Sequence, residues 1–228
     1  MGTRQRAIDL AERTEKNLLQ FLHRVEEYKK VVSKELTKKR PVGYARTIGK
    51  EYKSKDGTTY KYFLSTPSYN YMKRNGLDLT FYSMQTEDGG SYVCLLSGNF
   101  SKDRTAYVFI PHFFQRYGER HLKDSTPTDE LVEIFLKKTS DIIYSKFPSS
   151  KYPNRILSVH EDGILLGNEY GTTVVFSTFV AKETLNKWQI IVREYGLKST
   201  PIDQELQEKI EEFMVKDELD KKYFLDLL

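Results

Sequence analysis

The chain has 228 residues, of which 39% are hydrophobic and 30% charged, and its formal net charge is +4. With Tyr 16 and Phe 13 it holds enough aromatic surface for a packed core, in one large domain or one domain with helical additions. These totals exclude an internal disulfide, because Cys94 is the only cysteine, and a membrane helix, because no apolar run reaches about 18 residues.

The mild positive charge is compatible with a nucleic-acid partner without requiring one. No apolar signal core follows Met1-Gly2-Thr3-Arg4-Gln5-Arg6, so the reading is cytoplasmic, with no membrane partner. Cys94 lies in an apolar run and reads as a buried thiol.

Taken in order, Thr3 to Lys39 forms a long amphipathic helix. Ile8, Ala11, Leu18, Leu22, Val25, Val32 and Leu36 recur at helical spacing, and Pro41 ends the pattern. Such a helix packs on its own domain or docks a partner. Residues 44 to 66 read as a hairpin turning at Asp56-Gly57. There Lys50, Lys53, Lys55 and Lys61 interleave with Tyr52, Tyr60 and Tyr62, a pattern that suits either stacked single-stranded nucleic acid or ordinary cross-strand packing.

Pro67 to Gly76 reads as a loop or short helical turn. Leu77–Met84, Ser91–Leu96 and Tyr107–Ile110 then make a three-stranded antiparallel meander, with turns at 87–90 and 101–104. A helix over 111–122 follows. Thr126-Pro127-Thr128-Asp129 opens the next helix with Thr126 as cap, and its buried stripe extends through Ile142 and Ile143 to a stop before Pro148. Ile156–Gly167 and Thr172–Val180 complete the sheet. A helix over 184–195 closes on Gly196, and Thr200-Pro201 opens a final one.

The fold class is therefore α+β: an antiparallel sheet with flanking helices and long amphipathic N- and C-terminal helices. The reading divides the chain into an N-terminal helix (1–40), an α+β core (41–196) and a C-terminal helical extension (197–228).

No Walker-type loop, dinucleotide fingerprint or paired cysteines occur, and His23, His112, His121 and His160 lack metal-ligand spacing. No metal or other cofactor is expected. His160 reads as a solvated turn residue, and His121 as packing at a helix end. What remains is the stripe His112, Arg116, Glu119 and Arg120, at i, i+4, i+7 and i+8, with Phe113, Phe114 and Tyr117 behind it. It is either a phosphate-handling site or a solvated face. Histidine titrates near neutrality, and arginine offers a permanently charged fork for phosphate oxygens. Metal-free RNA cleavage needs both, with a carboxylate such as Glu119 as orienter.

His-Phe-Phe-Gln-Arg-Tyr-Gly-Glu-Arg at 112–120 resembles the H-x-x-x-R-x-x-E-R helix of the barnase–EndoU–colicin–RelE-like nuclease group, common in toxin systems, phages and mobile elements. Asp162–Gly167 and Thr178-Phe179-Val180 resemble that group's last strands. The likeness spans residues 106 to 190. It implies a metal-independent ribonuclease in which His112, Arg116, Arg120 and Thr178 face one RNA groove, with Lys182 at its edge. Lys53, Tyr60 and Lys61 would add RNA contacts from the hairpin. RNA, and a protein inhibitor or a second copy bound through the terminal helices, are the expected partners. The alternatives are a non-catalytic nucleic-acid- or protein-binding module and a mobile-element assembly protein.

Overall fold

The computed structural model describes residues 2–49, 51–87, 90–97, 104–122, 126–139, 142–146, 153–197 and Glu208. It is α+β, and its strands pair mostly antiparallel. The chain divides into two compact units. One takes Met1–Gly98 with Ala106–Val108, the other Asn99–Thr105 with Phe109–Leu228. The division falls inside the 41–196 stretch that the sequence reading treats as one core. No helix among the described residues is long and apolar enough to cross a membrane.

In the first unit, α1 (Thr3–Lys39) buries Ala7, Leu10, Ala11, Thr14, Leu18, Phe21, Val25 and Val32, a stripe with helical period. It stops at Arg40, whose left-handed backbone (φ 47°) returns its N–H to Leu36 O at 2.8 Å. The strands β1 (Ala45–Ile48), β3 (Thr59–Thr66), β4 (Asp78–Glu87) and β5 (Gly90–Ser97) lie in that order, with β2 (Tyr52–Lys53) also on β3. The expected hairpin turns where Gly57 takes φ 86°, a conformation that favours glycine. Burial opposes ionisation of the Asp56 carboxyl, but bonds from Ser54, Asn17 and Thr58 outweigh it and hold the pKa at about 2. A short helix, α2 (Tyr69–Asn75), follows the hairpin, with the Ser68 hydroxyl accepting the Tyr71 N–H at its start. Cys94 is fully buried as expected, and burial pushes its thiol up to about 12. The turn expected at Asp88-Gly89 lies outside the described residues, though Glu87 and Gly90 pair across it.

From Phe109, at the end of β6 (Thr105–Phe109), the second unit turns into α3 (Pro111–Tyr117) and continues through a π-helical turn (Gly118–Leu122) and α4 (Thr128–Lys138). Its strands lie in the order β10 (Thr173–Ala181), β9 (Gly163–Tyr170), β8 (Arg155–His160), β7 (Tyr144–Lys146). Phe109, Phe113, Phe114, Phe135, Phe176 and Phe179 are all fully buried and form one aromatic core. Phe109 stacks on Phe176 at 5.3 Å, and Phe113 meets Phe135 edge-on at 5.7 Å, the geometries that ring quadrupoles favour. This core holds α3 against β10.

Three boundaries differ from the sequence reading. The helix α4 ends at Lys138 and has Pro127 at its cap with no side-chain cap bond, so Thr126 does not cap it. Ile142 and Ile143 lie beyond it, next to β7, whose Tyr144 pairs with Ser158; the pairing of an extended strand wins over the continuing helical stripe. The helix α5 (Lys187–Leu197) runs through Gly196 instead of closing on it. The expected C-terminal helix from Thr200 lies outside the described residues, apart from helical Glu208.

Candidate functional site

Pro111 takes the first helical position of α3, where its missing N–H costs nothing. The chain turns there because Phe113, Phe114 and Tyr117, at i, i+1 and i+4, all find the aromatic core. The π turn then adds a residue to the helical ladder, a device frequent at functional positions.

The four stripe residues differ in exposure and in what they bond. His112 and Glu119 are exposed and linked through Gln115: His112 Nδ1 lies 3.3 Å from Gln115 Oε1, and Gln115 Nε2 donates to Glu119 Oε1 at 2.8 Å. Arg116 and Arg120 are half-buried and turn onto β10. Arg116 Nη1 donates to the Thr178 hydroxyl, and Arg120 Nη1 donates to Phe179 O at 2.9 Å. The physical reason is the core itself. With Phe113, Phe114 and Tyr117 buried, the residues next to Tyr117 and its successor turn are carried to the strand, and 112, 115 and 119 are left outside.

Thr178 owes its position to a β-bulge. Phe176 pairs with Gly167 and Thr178 with Leu166, so Ser177 is the extra residue. Ser177 is the one half-buried position in β10, and Thr178 behind it is only 2% exposed. Gly167 is required opposite the bulge, because a Cβ there would stand 2.2 Å from Val175 O. Thr178 is thus an inward acceptor for Arg116.

On the other side of the same helical turn lies a polar cluster that the sequence reading missed. Asp162, 2% exposed, accepts Lys138 Nζ at 2.8 Å on Oδ1 and 2.9 Å on Oδ2. Tyr117 Oη donates to Oδ2 at 2.9 Å, and His121 Nε2 lies 3.2 Å from the same oxygen. Burial opposes ionisation of Asp162, but Lys138, Tyr117 and the two histidines outweigh it and hold its carboxyl below the usual range. Burial pushes the Tyr117 phenol up, and the Asp162 charge adds to that.

His160 is buried, not solvated, and stacks on Phe135 at 4.6 Å. The Asp162 N–H donates to its Nδ1 at 3.1 Å, so that nitrogen carries no proton. Its Nε2 lies 3.0 Å from Thr139 Oγ1, which itself donates to Phe135 O. The ring is therefore neutral with its proton on Nε2, and burial pulls its pKa down to about 4. An Asp-Gly turn pattern carried no sign that these side chains point inward; Tyr117 and His121 at i, i+4 were the available signal.

In the hairpin, Tyr60 is corrected. It is fully buried, stacked on Phe21 at 4.7 Å, and donates to Thr14 O at 3.0 Å. No face of that ring is left for a base. Lys53 is exposed, and Lys61 lies 3.8 Å from Glu51. Lys182 is exposed after β10, with Glu183 at 4.0 Å. Among the described residues no group of His, Cys, Asp or Glu is arranged to hold a metal ion. Comparison of the chain with protein-family models, curated proteins and solved structures finds no match.

Proposed function

We propose that the second unit is a metal-independent ribonuclease of toxin or mobile-element type. One observation carries this reading. Arg116 donates to the Thr178 hydroxyl and Arg120 to the Phe179 carbonyl, so one strand, β10, fixes the direction of both guanidinium groups. Two oriented cations, four residues apart on one helical turn, suit phosphate oxygens and the added charge of a pentacoordinate phosphoryl group.

In this reading His112, exposed one turn before Arg116, moves the proton. The 2′-oxygen bonds to phosphorus as its proton leaves, and the P–O5′ bond breaks as the leaving oxygen gains one. Gln115 links His112 to Glu119 and so orients the ring. Thr178 sets Arg116, and Lys182 adds an edge contact to RNA. Lys53 and Lys61 form a separate basic surface on the first unit. A protein inhibitor or a second copy would use the terminal helices, in a cytoplasmic setting.

The test compares RNA with DNA of the same sequence, in EDTA, using wild type and His112→Ala. Cleavage of RNA alone, lost in the variant, is expected. Equal cutting of DNA, or RNA left intact by the wild type, overturns the reading. Binding without cutting would favour a non-catalytic module.

A further inference from the structure

Two adjacent residue pairs on the α3–π segment split in the same way. Arg116 goes to Thr178 and the next residue, Tyr117, to Asp162. Arg120 goes to Phe179 O and the next residue, His121, to Asp162. Each arginine therefore has a strut beside it that ends on one buried carboxylate. The Tyr117 and His121 rings lie 5.4 Å apart, so the two struts also brace each other.

We propose that Asp162 is the positioning residue of the arginine pair, which rests on the ribonuclease reading above. Three features argue for this over a plain buried ion pair. Lys138 alone already engages both Asp162 oxygens, so Tyr117 and His121 are additional ligands of the same group. Both come from the π turn or the residue before it, the same turn that carries Arg116 and Arg120. Asp162 is itself fixed at the start of the β9–β10 hairpin: the Lys182 N–H donates to its carbonyl at 2.9 Å, and its own N–H bonds His160. One carboxylate therefore ties the helical turn to the strand pair that carries Thr178 and Phe179. Asp162 does not touch RNA; it sets where the two guanidinium groups stand. A shift of about 1 Å in such groups lowers rate by about 10²-fold.

The test is a double-mutant cycle on RNA cleavage in EDTA, with Asp162→Asn and Arg116→Ala alone and together. Since Asp162→Asn removes a buried charge, Tyr117→Phe and His121→Ala each sever one strut as milder variants, and thermal unfolding checks that all are folded. Asp162→Asn is expected to lower kcat about 10²-fold in the wild-type background and to have a much smaller effect beside Arg116→Ala, where only Arg120 remains to be positioned. Full additivity, or unchanged kcat in the folded single variants, overturns the proposal and leaves the ribonuclease reading standing. A second readout does not need activity. The Arg116 Nη1–H resonance, slowed by its Thr178 bond, is expected to average in Asp162→Asn; an unchanged resonance overturns the proposal even where the wild type cuts no RNA, a result that would separately end the ribonuclease reading.

Discussion

Arg116 reaches Thr178 across 62 residues of sequence, and the contact depends on a bulge at Ser177 on one side and an aromatic core on the other. Phe113 and Phe114 pull α3 down, and the bulge turns the Thr178 hydroxyl up to meet it. Thr178→Val keeps the shape and removes the acceptor. Losing a bond to a charged donor is expected to cost about 1.5–3 kcal/mol if the guanidinium stays buried, less if it swings to water. Denaturant unfolding gives the stability, and RNA cleavage is expected to fall with it by more than the unfolded fraction explains.

Gly167 lies under that bulge. Gly167→Ala would place a methyl against the Val175 carbonyl, with backbone and no flexible side chain to yield. The variant is expected to lose stability by well over the ~1 kcal/mol of an ordinary strand glycine change, with a drop in midpoint at unchanged denaturant dependence. Gly57→Ala meets no neighbour but sits at φ 86°, and is expected to cost about 1–2 kcal/mol from backbone strain alone.

His160 sets an acid limit on the fold. Its pKa is about 4 when folded and 6.5 otherwise, so the unfolded chain binds the extra proton between those values. Stability is complete above about pH 6.5 and falls as pH drops towards 4, by a term of order 3 kcal/mol. The ionised Asp162 adds a loss at still lower pH, as its lowered pKa is reached. Thermal unfolding from pH 7 to 4 measures this slope. His160→Leu is expected to flatten it, and an equal slope in the variant would assign the acid sensitivity elsewhere.

Tyr60 separates core from surface. Tyr60→Ala removes a fully buried ring that stacks on Phe21 and is expected to destabilise by about 3–5 kcal/mol. Tyr60→Phe loses only the bond to Thr14 O, about 1 kcal/mol, and is expected to leave RNA affinity unchanged. Lys53→Ala is expected to weaken RNA affinity slightly and to reduce its salt dependence.

Much of the fold was legible because period and turn chemistry agree. The α1 stripe, the Asp56-Gly57 turn and the strand-to-helix turn at Pro111 each follow from residues within one or two turns. The errors share a different cause. The stripe of His112, Arg116, Glu119 and Arg120 was read from spacing alone, which carries no sign that Arg116 and Arg120 turn onto β10 while His112 and Glu119 stay exposed. Tyr60 looked like a surface ring because alternation along β3 is blurred where α1 covers that face. Asp162 and His160 looked like turn residues because the groups that bury them, Lys138, Tyr117 and His121, lie in other elements. Ile143 read as helix from its spacing, but α4 ends at Lys138 and Tyr144 in β7 pairs with Ser158.

The most direct measurement of the central claim is incubation of a defined oligoribonucleotide with wild type and Arg116→Ala in EDTA, followed by analysis of the product ends. Attack by the 2′-oxygen predicts fragments ending in 2′,3′-cyclic phosphate from the wild type and cleavage slower by about 10²-fold or more from the variant. Intact RNA from the wild type, or cleavage by Arg116→Ala at the wild-type rate, would contradict the account.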